Sequence, residues 1–140
     1  MGAIIKAQDI TANNINWLLK PIIYCCLCDD IQNDAKSINT LLAEELTKYK
    51  ENRRTMQLER CFNQVMSAFP DGTIIKDFDV MFNPTYKVDV LKIMIAAYKK
   101  KPFSIIWSGK CEKGKLIYAE EGYSDYKVYS INDYDITCVI

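Results

Sequence analysis

Three short β-prone runs, separated by stretches of helical periodicity, constrain this chain more than anything else in it. Ile22–Leu27 (IIYCCL) is an unbroken apolar run of the kind found inside a parallel sheet covered on both faces. Thr73–Asp77 (TIIKD) and Phe103–Trp107 (FSIIW) are two more. Between the runs, apolar residues recur at helical spacing. Ser37 caps a helix predicted to reach Tyr49, with Ile38, Leu41, Leu42 and Leu46 in its stripe. A second helix is expected over 55–69, with Leu58, Phe62, Val65, Met66 and Phe69 on one side. A third, over 87–100, aligns Val90, Leu91, Met94, Ile95 and Tyr98, and Pro102 ends it. Parallel strands need crossovers and helices of this length supply them. The expected fold is therefore one α/β domain over residues 1–140, a small parallel sheet with covering helices. Asp9–Leu19 reads as a further short helix and Cys28–Lys36 as a polar loop. Past Trp107 the signals turn antiparallel. Leu116–Ala119, Tyr126–Ser130 and Ile136–Ile140 read as the short strands of a C-terminal extension.

Composition narrows the function. The 140 residues are 49% hydrophobic and 26% charged, as in ordinary globular domains. Lys plus Arg and Asp plus Glu both number 18, which removes the bulk electrostatic argument for a dedicated nucleic-acid binder. A local patch stays open: Lys99, Lys100 and Lys101 suit a solvated helix end as well as a phosphate contact. Met1–Thr11 has no secretory signal, and Trp17–Cys28 is broken by Lys20 and Pro21 and too short to span a membrane. The expectation is a cytoplasmic protein without membrane contact and with six reduced cysteines. With no His in the chain, Ser-His-Asp and Cys-His nucleophilic sites and His-ligated metals are excluded. No CxxC pair exists, so Cys25, Cys26, Cys28, Cys61, Cys111 and Cys138 read as small buried hydrophobes, with a soft-metal role for Cys25, Cys26 and Cys28 as the alternative.

Gly109–Lys115 spells G-x-x-x-x-G-K, the skeleton of a phosphate-binding loop. Residue 116 is Leu where Mg²⁺ binding requires a hydroxyl, and LIYA at 116–119 is strand-like where a helix should begin. A β-hairpin turning at Lys113-Gly114-Lys115 fits better. Asp34-Ala35-Lys36 matches the D-x-K fragment of metal-dependent nucleases, with Asp29 or Asp77 as partner acid. Tyr118, Tyr123, Tyr126, Tyr129 and Tyr134, with Trp107, suit either a base-stacking platform or cross-strand aromatic pairs, and β-sheets favour the pairs.

From Thr73 onward the chain resembles the small P-loop protein of type 3 bacteriophage-exclusion (BREX) systems. The resemblance rests on Ile74–Asp79 (IIKDFD), Phe82-Asn83-Pro84, Trp107-Ser108-Gly109 and, most specifically, Gly114–Tyr126 (GKLIYAEEGYSDY). It covers about half of the chain. It implies a P-loop-like fold, and it places Asp77, Asp79, Ser108 and Gly109 where any nucleotide would lie. Lys76 stands where the family has its first acid. The departure is after the first strand. Family members carry a Gly-rich phosphate loop there, whereas this chain has no glycine between Gly2 and Gly72, and Asp29, Asp30 and Asp34 would repel a triphosphate.

Two function classes follow. One is a degenerate, non-catalytic P-loop-like subunit that binds other defence-system proteins, or copies of itself, through Trp107, Tyr123 and Tyr126, and needs no cofactor. The other is an active nucleotide-binding protein that takes ATP and Mg²⁺ on an atypical loop at 28–36 or 109–116, with the nuclease-like reading beside it. The first is the expectation carried forward.

Overall fold

The computed structural model describes residues 2–6, 21–25 and 33–140. The helix expected over 9–19, the end of the first strand and the loop at 28–32 lie outside them. Among the described residues the main sheet has six strands, all parallel, in the order β1-β9-β2-β5-β4-β3. They are β1 (Ala3–Ile5), β2 (Ile22–Tyr24), β3 (Lys36–Ser37), β4 (Thr73–Lys76), β5 (Phe103–Ile106) and β9 (Thr137–Val139). The three runs read from sequence do lie side by side, with Ile23 aligned to Ile105 and Ile105 to Ile75. That row of β-branched side chains is fully buried. It continues through Cys138 to Ile4, which is half exposed at the edge strand.

Among the described residues the strands are connected by α1 (Asn39–Leu46), α2 (Glu51–Met66) and α3 (Val90–Lys100). On α2, Leu58, Cys61, Phe62, Val65 and Met66 form the buried stripe. The helix starts four residues before the expected position, where Glu51 sits favourably in the positive first turn. Asp89 caps α3 by accepting the Lys92 amide at 3.1 Å. Lys101 ends the helix in extended backbone, as a residue before proline prefers. Ser37 is not the cap of α1. It belongs to β3, the Ile38 position makes no side-chain cap bond, and the pairing of Lys36 with Ile75 takes these residues into the sheet. Part of the expected 28–36 loop is therefore an edge strand.

The C-terminal region divides in two. β6 (Lys110–Glu112), β7 (Lys115–Tyr118) and β8 (Lys127–Ser130) form a separate antiparallel sheet, as the antiparallel signals imply. Lys113 (φ +50°) and Gly114 (φ +75°) make the two-residue turn between β6 and β7, with positive φ at both positions as such hairpins require. Ile136–Ile140 does not join this sheet. β9 inserts between β1 and β2, parallel to both, because Ile136–Val139 is apolar enough to be buried on both faces of a central strand.

Candidate functional site

Because every strand of the main sheet points the same way, the segments after β2, β3, β4 and β5 gather at one end, where open α/β sheets place their sites. After β4, Asp77 turns the chain with φ +54°, a left-handed conformation that Asp tolerates better than bulkier residues. The next side chain, Phe78, is thereby buried. Asp79 then opens a short 3-10 helix, Asp79–Phe82. One of its carboxylate oxygens accepts the Tyr118 hydroxyl at 2.8 Å and the other accepts the Asn39 side-chain amide at 3.2 Å. Asn39 returns its own oxygen to the Val80 amide at 3.0 Å. Asp79 thus joins the start of α1 to the end of β7. Burial, followed by the neighbouring Asp79 carboxylate, raises the Tyr118 hydroxyl above its ordinary value, so this group stays protonated and donating.

Behind Asp79 runs a chain of rings. Tyr118 stacks on Phe82 at 3.7 Å and 11°, and Phe82 meets Trp107 edge-on at 5.8 Å. Trp107 in turn meets Tyr129, and Tyr129 meets Tyr134. The Tyr134 hydroxyl closes the series on Asp89 at 2.6 Å. The indole of Trp107 donates to the Ile117 carbonyl at 3.1 Å, tying the main sheet to the small one. Cross-strand and inter-sheet pairing therefore absorbs Trp107, Tyr118, Tyr129 and Tyr134, the bland alternative to a stacking platform.

Asp77 and Asp79 are exposed at the strand end, as are Ser108 and Gly109. Trp107 is a correction: it is only 5% exposed, an anchor of the inter-sheet core instead of part of a surface, because a large ring with one N–H is stable inside once that donor is paired. Tyr123 is 65% exposed and Tyr126 half-buried in the segment between β7 and β8. Asp34 and Lys36 are exposed beside the edge strand β3. Among the described residues no three His, Cys, Asp or Glu converge as a group able to hold a metal ion.

Of the cysteines, Cys61 and Cys138 are buried, as expected of small hydrophobes, whereas Cys25 and Cys111 are only half-buried; Cys26 and Cys28 lie outside the described residues. Contact with Cys138, followed by burial, raises the Cys25 thiol, and burial pushes Cys111 up to about 11. These thiols are poor nucleophiles at neutral pH. Asn39 is the site residue that sequence reasoning missed. Its signal was slight, a lone amide in the first turn of a helix, and its partner lies forty positions away.

Among the described residues, no helix is long and apolar enough to cross a membrane. Comparison with protein-family models, curated proteins and solved structures finds no match to this chain.

Proposed function

We propose that this chain is a non-catalytic interaction subunit, P-loop-like in descent, of a bacterial antiphage-defence assembly of the BREX type. The observation that carries the non-catalytic half is the occupation of Asp79. The acid that the resemblance would assign to a Mg²⁺-nucleotide is engaged on both oxygens, by Tyr118 and Asn39, in joining three elements of the fold. Gly109 serves packing in the same way, since a Cβ there would lie 1.9 Å from the Ile117 carbonyl oxygen. The only G-x-x-x-x-G-K match is spent on a hairpin turn. The assignment to defence rests on the resemblance across Ile74–Tyr126.

The partner surface in this reading is the segment between β7 and β8 with the outer side of β8. Tyr123 and Val128 are the exposed large hydrophobic side chains there. The test is a pull-down from the native operon, with Tyr123→Ala and Tyr126→Ala as variants. Wild type should capture other proteins of the defence system, and the variants, still folded, should lose them. Unchanged capture by both variants, or none by wild type, would overturn the proposal. Titration calorimetry with ATP and Mg²⁺ addresses the competing nucleotide-binding reading. Binding lost in Asp79→Asn would favour that reading instead.

A further inference from the structure

We infer that the outer face of α2, with the ends of α1 and α3 beside it, is a sequence-independent docking groove for the phosphate backbone of a nucleic acid. Two contiguous grooves run across this face. One, of about 490 Å³, lies between α2 and the C-terminal end of α3 and is lined by Met56, Gln57, Glu59, Arg60, Asn63, Gln64 and Lys100. The other, of about 300 Å³, lies between α2 and the end of α1 and contains Lys48, Tyr49 and Cys61. Arg60 and Gln64 are common to both, so the two form one trough.

Helical spacing extends the trough. Arg53, Gln57, Arg60 and Gln64 are separated by four, three and four residues, which places them on one side of α2. At 1.5 Å per residue they span about 16 Å, the axial length of about five phosphates of one duplex strand.

Charge and side-chain chemistry select the occupant. Across α1, α2, their connection, and α3 with Lys101, basic residues outnumber acidic ones about two to one, in a chain whose formal net charge is zero. Positive charge is therefore concentrated on this layer. Lys100 lines the trough from the end of α3, and the neighbouring Lys101 donates to the Ser67 carbonyl at 3.2 Å. Of the acids lining the trough, Glu45 is paired with Lys48 at 2.9 Å, which leaves Arg60 and Lys100 against Glu59. Cations interleaved with side-chain amides can donate to successive phosphate oxygens without reading bases. An acidic protein segment fits less well. Interfaces of that kind are anchored by buried apolar or aromatic pockets, and the apolar surface of the trough is limited to an 81%-exposed Met56, a half-buried Tyr49 and Cys61. The inference concerns a face of the molecule remote in chemistry from the small-sheet surface of the proposed function, and it stands or falls separately.

The experiment is fluorescence anisotropy with short labelled single-stranded and duplex DNA of mixed sequence, over a salt series, using the full chain. Binding is expected in the non-specific range of about 10⁻⁴–10⁻⁶ M, weakening as salt rises. Arg60→Ala with Lys100→Ala should weaken it at least about tenfold and reduce the salt slope by about two. Both residues are exposed, so circular dichroism should show the fold intact. Lys113→Ala with Lys115→Ala, on the other sheet, is the control and should change little. Four results would overturn the inference: no binding at the lowest salt, an unaffected Arg60/Lys100 variant, an equal loss in the control, or tighter binding of polyglutamate than of either DNA.

Discussion

Gly109 and Gly114 bracket the β6 strand and its turn, and they are glycine for different reasons. At Gly109 a methyl group would strike the Ile117 backbone, so Gly109→Ala must push β7 away from the Trp107 indole bond. It should destabilise by about 1–3 kcal/mol, read as a lower denaturant midpoint. Gly114 has open space but φ +75°, so alanine there costs only the left-handed backbone. Tyr129 makes the opposite prediction. Its hydroxyl is buried with no hydrogen-bond partner among the described residues, so Tyr129→Phe should leave stability unchanged or raise it. The same tyrosine sets a pH response. Burial, then the Asp89 charge, pushes it from its ordinary 10.0 up to about 12; Tyr118 and Tyr134 are raised too, each chiefly by burial. A folded value above the unfolded one means the unfolded state releases its protons first. The stabilisation is complete below pH 10, and stability should fall from pH 10 toward 12. Urea unfolding across that window checks it, and Tyr129→Phe should shallow the slope.

Elements were legible wherever their own residues supplied the signal. The three helices read from periodicity over 37–49, 55–69 and 87–100 are present, and Pro102 does end the last; their starts move by two to four residues, to Asn39, Glu51 and Val90, where local chemistry such as the Asp89 cap fixes them. Asp89→Ala should cost about 1 kcal/mol for the lost cap, with a further loss because it also frees the Tyr134 hydroxyl from its acceptor. The hairpin turn was equally readable. Lys113 occupies a left-handed position that Asn tolerates better, so Lys113→Asn should raise the thermal midpoint modestly, by about 0.5 kcal/mol of stability. β1 and β3 were not readable. Three residues and two residues are too short for a period-two pattern, and both are strands only because a neighbouring strand offers its edge.

At the scale of the molecule, the two sheets are joined by a ring series in which Phe82 meets Phe78, Trp107 and Tyr118, and Trp107 meets Tyr129. Phe82 is central, touching three of the other rings and 2% exposed. Phe82→Ala should cost about 3–5 kcal/mol, and it should separate the unfolding of the small sheet from that of the main one. In the wild type, near- and far-ultraviolet circular dichroism should give coincident transitions. A wild type with two resolved transitions would show that the rings do not couple the sheets.

By itself the amino-acid sequence determined the α/β class, the three adjacent inner strands, the helices between them and the lysine-bearing hairpin. Each of these is written in local periodicity or turn chemistry, which act over a few residues. Tertiary structure alone decided that Ile136–Val139 enters the main sheet, that Trp107 turns inward, and that Asp79 is shared between Asn39 and Tyr118. An apolar run carries no label for parallel or antiparallel pairing, and a carboxylate carries none for its partner. Those choices depend on which distant strand or hydroxyl the packed fold brings within a few ångströms.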